Sequence, residues 1–106
     1  MNIEAPLIVK EWLNEHRAMM LKEDINVELR LPPENDTLNK ATIRLDANSI
    51  LASLTVWGSG MVEYIVMHGE SDDDIESTDV ECVNRQDVAE KLDSFFQDFL
   101  KLIAEY

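Results

Sequence analysis

The amino-acid sequence predicts an α+β fold: a two-layer sandwich in which an antiparallel meander of four to five strands carries an N-terminal and a C-terminal helix on one face. Apolar residues recur at helical spacing near both ends of the chain, and they alternate with period two between these segments. A chain of 106 residues fits the usual size of one domain. We therefore expect residues 1–106 to form a single domain.

The first helix is predicted from Pro6 onwards, because proline is tolerated in the first turn of a helix. Its apolar face comprises Ile8, Val9, Trp12, Leu13, His16, Met19 and Met20. His16 lies on this face and could act as a ligand or a base. We interpret it instead as a boundary side chain with a local hydrogen-bond partner.

The strands follow from residue 25. The first is predicted over 25–31 and ends at two prolines, which cannot continue the hydrogen-bond ladder. The second has Ile43 and Leu45 inward and closes at Asn48 and Ser49. The third runs over roughly 51–57, and the segment 58–60, Gly-Ser-Gly, predicts a hairpin to the fourth.

In the fourth strand, Val62, Tyr64 and Val66 are predicted to point inward. The acidic segment after it is expected to be a loop. A weaker fifth strand is predicted over 78–83, with Val80 and Cys82 inward and Asp79 and Glu81 outward. Asn84 is a suitable N-cap for the last helix, whose apolar stripe comprises Val88, Leu92, Phe95, Phe96, Phe99, Leu100 and Ile103.

This arrangement leaves one face of the sheet uncovered by helices. Its expected residents are Glu28, Arg30, Arg44, Ser53, Thr55, Trp57, Met61, Glu63, Ile65 and Met67. Aromatic and methionine side chains beside carboxylates are typical of protein interfaces, where the former supply burial and the latter steer the partner. In the alternative, a loop or the fifth strand covers Trp57 and the methionines as a second, minor core.

Negative charge is concentrated in the middle of the chain. The formal net charge is -13, and nine of the 22 acidic residues lie between Arg44 and Arg85, where there is no lysine or arginine. Such a field attracts a cationic protein surface and repels nucleic acid and anionic membranes. We expect a basic protein partner, no nucleic acid and no membrane. The alternative is a solvated acidic loop that only aids solubility.

No set of residues predicts catalysis. Ser59 lies in a predicted hairpin and not between a strand and a helix, as a nucleophile elbow requires. The alternating acids that begin at Asp72 lack the glutamate that a calcium loop carries at its twelfth position, which is Val83 here. We expect no enzyme activity, no cofactor and no metal site. Cys82 is the only cysteine, so no intramolecular disulfide can form, and without an export segment the expected location is the cytoplasm.

Four features together resemble the TriTu family of immunity proteins. They are the segment Glu11-Trp12-Leu13-Asn14, the strand 25–31 that ends in proline, the hairpin 54–60 and the aromatic last helix. The resemblance runs over nearly the whole chain as a pattern of elements, and the hairpin is its locally specific part. Members of this family accompany Rhs-type toxins of the type VI secretion system.

The resemblance implies a protein that binds a cognate toxin domain and occludes its active site in the producing cell. We expect a one-to-one complex and a monomer when the protein is free. The implied toxin ADP-ribosylates elongation factor Tu, and the immunity protein itself would use no cofactor. The partner-binding residues are predicted from the residues alone and are Trp57, Met61, Glu63, Ile65, Asp72, Asp73 and Asp74.

Two other functions remain open from the sequence. An acidic inhibitor of a basic nuclease, or a nucleic-acid mimic, would bind with a steep salt dependence and would tolerate the loss of Trp57. A secretion chaperone would hold an extended client in an apolar groove and would commonly dimerise. A one-to-one complex with a folded toxin domain favours the immunity function over the chaperone.

Overall fold

A helix at each end of the chain flanks a run of consecutive strands. The computed structural model describes residues 3–33, 38–69 and 74–105. Its elements in this part of the chain are α1 (Ala5–Lys22), β1 (Asn26–Arg30), β2 (Lys40–Ala47), β3 (Ile50–Trp57), β4 (Met61–His68), β5 (Asp74–Glu81) and α2 (Arg85–Glu105). The predicted α+β fold is confirmed.

The five strands form one antiparallel sheet in the order β1-β2-β3-β4-β5. Each strand pairs with its neighbours in sequence, so the sheet is the predicted meander. Asn48 and Ser49 join β2 to β3 with φ values of 50° and 64°, which are typical of a type I′ turn. The predicted hairpin of β3 and β4 is also confirmed, and Gly60 takes the positive φ, 96°.

The core lies between the helices and one face of the sheet. Helix α1 lies against β2, and α2 lies against β3 and β4. The largest fully buried side chains are Tyr64, Phe96, Phe99, Leu13, Met20, Ile43, Leu45, Ile50, Leu54, Leu92, Val9 and Val56. They come from both helices and from alternate positions of β2, β3 and β4, so the helices share one face of the sheet as predicted.

Two apolar residues are more exposed than their sequence patterns predicted. Met19 is 43% exposed, because it lies at the margin of the apolar face of α1, where Met20 makes the buried contact. Leu31 is 39% exposed, because β1 ends at Arg30, one residue before the pair of prolines. Val27 and Leu29 within β1 are partly buried against the core, as expected for an edge strand.

Strand β5 starts earlier than predicted. The prediction of 78–83 correctly placed Val80 on the helix side and Cys82 in the buried interior, but Asp74–Glu81 is the observed strand. Val66 pairs with Glu76 and Met67 with Asp74, so Ile75 is the extra residue of a β-bulge. Pairing with β4 satisfies the backbone of a segment whose acidic composition predicted a loop.

Side-chain caps define both ends of α2. The Asn84 side chain accepts a hydrogen bond from the backbone N–H of Asp87 at 2.8 Å, which confirms the predicted N-cap. The Asp87 carboxylate in turn accepts from the N–H of Val83 at 3.1 Å. At the other end, the Asn48 amide donates to the carbonyl of Ile103 at 2.7 Å. The β2–β3 turn therefore helps to satisfy the last turn of α2.

Candidate functional site on the open face of the sheet

The face of the sheet opposite the helices, here called the open face, consists of the side chains at alternate strand positions. Cross-strand pairing fixes its rows: Arg30, Thr42, Thr55, Glu63 and Asp79 lie side by side from β1 to β5. The next row contains Glu28, Arg44, Ser53, Ile65 and Ser77. All the residues predicted for the uncovered face lie on it, so strand periodicity assigned this face correctly.

Apolar side chains of β3 and β4, here called the apolar stripe, lie along the open face on either side of the polar pair Thr55 and Glu63. The stripe consists of half-buried side chains of β3 and β4, namely Leu51, Trp57, Met61, Ile65 and Met67. The predicted anchors Trp57, Met61 and Ile65 belong to it. Strand β5 lies beside β4 in the sheet and not over this stripe, so the fifth strand does not form the alternative minor core.

The β4 and β5 side of the open face is acidic. Glu63 pairs with Asp79 across the two strands, and Met61 pairs with Glu81. Asp79 and Glu81 are exposed, and Glu63 is half-buried. Carboxylates directly opposite each other on a sheet repel, so the pair Glu63 and Asp79 presents a local charge that a cation from a partner would relieve. We call Glu63, Asp79 and Glu81 the acidic half.

The predicted aspartates have a different outcome. Asp72 and Asp73 lie outside the described residues. Asp74 is the first residue of β5, opposite Met67 at the edge of the sheet. Asp79 and Glu81 were assigned an outward direction from the sequence but not a binding role. The register of β5 against β4 places them near Glu63 on the open face. The alternation of side chains along the predicted fifth strand was the signal that could have identified them as site residues.

The β1 and β2 side of the open face is basic, a feature that was not predicted from the sequence. Arg30, Lys40 and Arg44 line a groove of about 500 Å³ together with the segment 31–33. The ammonium of Lys40 lies 5.3 Å from the centroid of the Trp57 ring. We call these three cations and the groove that they line the basic groove.

Glu28 is the acidic neighbour of this groove. Its carboxylate accepts a hydrogen bond from the Arg30 guanidinium at 2.8 Å, and Arg44 is its cross-strand partner. The hydrogen bond and charge of Arg30 lower the pKa of Glu28, and the charge of Arg44 lowers it further. The carboxylate therefore stays ionised, and it offsets part of the positive charge at the β1 edge.

The turn that carries Trp57 and Met61 is held by three other segments. The N–H of Ile3 donates to the carbonyl of Gly58, and the N–H of Gly58 donates to the carbonyl of Asn39, both at 2.8 Å. The N–H of Cys82 donates to Gly60 at 2.9 Å. Backbone bonds from before α1, before β2 and after β5 thus order this end of the apolar stripe before any partner binds.

The Asn39 side chain strengthens this arrangement. Its Oδ1 accepts from the N–H of Ala5, the first residue of α1, at 2.8 Å, and its Nδ2 donates to the carbonyl of Ile3. No side chain at the N-cap itself bonds the first turn of α1. Asn39 therefore caps α1 from a distant segment and joins it to the Gly58 turn. We call this set of bonds the Asn39 clasp.

His16 packs between the two helices, where it contacts Trp12 and Asp93. Its Nδ1 lies 2.8 Å from the carbonyl of Trp12, and its ring stacks on the Trp12 indole at a centroid distance of 4.2 Å. The Trp12 indole N–H donates to Asp93 at 2.8 Å, and the same carboxylate oxygen lies 3.1 Å from His16 Nε2. The prediction of a boundary histidine with a local partner is confirmed, and Asp93 joins α1 to α2.

A second polar cluster joins α2 to the sheet. The hydroxyl of buried Tyr64 donates to Asp98 at 2.8 Å. A hydrogen bond with Asp98, burial and the charge of Asp98 raise the pKa of Glu76. The cluster lies on the helix side of the sheet, away from the open face. Its contacts explain it as a structural link between α2, β4 and β5.

Other classes of site have no support in the residues that the structure describes. Within these residues, no group of three or more histidine, cysteine, aspartate and glutamate side chains is placed to hold a metal ion. Neither helix in the described ranges is long and apolar enough to cross a membrane.

A family comparison agrees with the resemblance found in the sequence. The model of the family described as "Immunity protein TriTu" matches residues 8–98, from the first turn of α1 to the last third of α2. No curated protein and no solved structure matches the chain.

Proposed function

The chain belongs to the TriTu family of immunity proteins, and from this premise we propose that it neutralises its cognate toxin by covering the active site with the open face of its sheet. Membership of an immunity family implies that the partner is a toxin. The surface that makes the contact and the mode of inhibition are our proposal.

The observation that carries the proposal is the ordered apolar stripe with charged side chains on either side of it. Half-buried Trp57, Met61 and Ile65 still expose apolar surface, and a partner that covers them removes this surface from water. The backbone bonds to Ile3, Asn39 and Cys82 hold the turn between Trp57 and Met61. Such preorganisation lowers the entropic cost of binding.

The acidic half supplies the second part of the proposal. A toxin that ADP-ribosylates elongation factor Tu must hold an anionic dinucleotide and dock an acidic protein, so its active site is expected to be electropositive. Glu63, Asp79 and Glu81, with the acidic segment 72–74, would occupy the same field. Inhibition then needs occlusion alone. We further propose that the chain is not an enzyme and uses no cofactor.

We extend the proposal to the setting that the resemblance implies. The partner would be a domain of an Rhs-type toxin of the type VI secretion system, and the complex would form one-to-one in the cytoplasm of the producing cell. The free immunity protein would be a monomer. The mixed charge of the open face favours a folded protein partner over the role of a nucleic-acid mimic, whose binding surface would carry negative charge alone.

The test is the affinity of Trp57→Ala for the cognate toxin domain. Removing an aromatic anchor from the centre of an interface costs about 2–4 kcal/mol, which raises Kd roughly 30-fold to 700-fold. Val83→Ala is the matched control, because Val83 is 77% exposed and lies outside the open face. Isothermal titration calorimetry measures Kd for each variant. An assay of the toxin's ADP-ribosyl transfer measures how strongly each variant inhibits the toxin.

If Trp57→Ala unfolds thermally like the wild type and its Kd is unchanged, the open face does not form the interface with the toxin. A Kd that depends steeply on salt but not on Trp57 would instead favour the acidic inhibitor of a nuclease. A dimer that binds an unfolded segment of the toxin would favour the chaperone.

A further inference from the structure

The basic groove is an open concavity on the surface of the sheet. It is lined by strand side chains that include Thr42, Ser53 and Thr55 and by the segment 31–33, which contains two consecutive prolines. Thr55 is buried, and its hydroxyl lies 3.0 Å from that of Thr42. Proline fixes its own φ, so Pro32 and Pro33 restrict the backbone conformations of this segment. The volume of about 500 Å³ lies within the range of ligand pockets.

The charge of the groove opposes that of the whole protein. The chain has only nine lysine and arginine residues against 22 acids, yet three of the nine meet here. Arg30 is paired with Glu28. Among the described residues, Lys40 and Arg44 have no carboxylate within ion-pair distance, although Glu28 faces Arg44 across the strands and Asp46 lies two positions along β2. Within the described residues, the charges of Lys40 and Arg44 are therefore not neutralised by an ion pair, and both can contact an anionic ligand.

The fold makes little use of these cations. Arg44 is exposed on the surface of β2, and Lys40 rests beside the Trp57 ring at the edge of the apolar stripe. The groove is therefore continuous with the surface assigned to the partner. A long polyanion that filled it would also meet the repulsion of Glu63 and Asp79 on the neighbouring strands, and the net charge of -13 opposes nucleic acid in general.

We infer that the basic groove receives an acidic segment of the cognate toxin, so that the interface pairs two opposite charge patterns. This inference rests on the proposed function. It adds a second contact, between the basic groove and acidic side chains of the toxin. Carboxylates of the toxin bind Lys40 and Arg44, while basic groups of the toxin bind the acidic half. Two charge patches of opposite sign, on either side of an apolar stripe, define a single orientation for the partner.

Charge reversal tests the inference. Arg44→Glu and Lys40→Glu are each expected to raise Kd for the toxin domain at least about tenfold, mainly through slower association and most strongly at low salt. Lys10→Glu is the control, because it makes the same change in net charge on the exposed surface of α1. Surface plasmon resonance at two salt concentrations measures the rates. Arg44→Ala is expected to raise Kd by a smaller factor, and it provides the same test if the reversal variants do not fold.

A zero-length carbodiimide crosslink gives an independent readout. An amide bond between Lys40 Nζ and an aspartate or glutamate of the toxin is expected in the complex and is identified by mass spectrometry, and no such bond is expected from Lys10. The inference is overturned if Lys40 forms no crosslink, or if reversal of Lys40 and Arg44 changes Kd no more than Lys10→Glu does. With Trp57→Ala still weakening binding, that result would leave the proposed function intact. If neither Trp57→Ala nor the charge reversals weakened binding, the open face would not be part of the interface.

Discussion

The Asn39 clasp provides a sharp test of how the Trp57 turn is ordered. Gly58 donates its N–H to the carbonyl of Asn39, and a Cβ added at Gly58 would lie 2.6 Å from Asn39 Cγ. Carbon atoms prefer separations of about 3.5–4.0 Å. Gly58→Ala must therefore displace the Asn39 side chain, to which the three nearest atoms belong.

The cost follows from the bonds that this displacement breaks. Asn39 would lose its contacts with the N–H of Ala5 and the carbonyl of Ile3. A net value of about 0.5–1.5 kcal/mol for each hydrogen bond predicts a loss of about 1–3 kcal/mol in the free energy of unfolding. Asn39→Ala breaks the same two bonds, so it should cost a similar amount.

The double variant separates this mechanism from simple backbone strain. Once Asn39 is alanine, most of the clash is gone, and only the contact of the new Cβ with Cβ of residue 39, at 3.0 Å, remains. Gly58→Ala is therefore expected to cost at least about 1 kcal/mol less in the Asn39→Ala background than in the wild type. Urea unfolding followed by tryptophan fluorescence provides the four free energies.

Ser59→Ala is the control within the same turn. Its side chain is exposed, so the free energy of unfolding should change by less than about 0.5 kcal/mol. Additive losses for Gly58→Ala and Asn39→Ala would refute the reasoning, because they would show that the two residues act through separate contacts.

Two further predictions concern the polar cluster on the helix side. Tyr64→Phe removes the donor to Asp98 and should lower the free energy of unfolding by about 1–2 kcal/mol, whereas a loss below about 0.3 kcal/mol would contradict a structural role for the bond. Glu76→Gln should stabilise the protein at pH 7 but not at pH 4. Because the pKa of Glu76 is raised in the folded state, the folded protein holds this proton more tightly than the unfolded chain, and stability falls as the pH rises through that pKa. Urea unfolding at the two pH values measures the difference, and an equal effect at both would show that the carboxyl does not titrate between them.

Local patterns predicted most of the fold. Helical spacing located both helices, and the segment 58–60 located the hairpin that carries Trp57. Asn84 marked the start of α2 correctly, because an N-cap bond joins residues only three apart. The start of β5 was missed because aspartate and glutamate disfavour strands as isolated residues, whereas the exposed edge of β4 supplied the backbone partners that outweigh this preference.

Part of the candidate site was also predictable. Strand parity placed Trp57, Met61, Glu63 and Ile65 on one face, as the structure shows. The basic groove was not recognised, although Arg30 and Arg44 were assigned to that face. Arg30, Lys40 and Arg44 are separated in a sequence with 22 acidic residues, and only the pairing of β1 with β2 brings them together.

The amino-acid sequence by itself determined the order of the elements, the boundaries marked by proline, glycine and asparagine, and the face of the sheet on which each strand residue lies. These features depend on backbone geometry over a few residues. Only the tertiary structure decided which side chains meet: Glu63 with Asp79, Lys40 with Trp57, and Asn39 with the start of α1. Those meetings depend on the register of hydrogen bonds between distant segments, and that register is set when the sheet and the helices pack together.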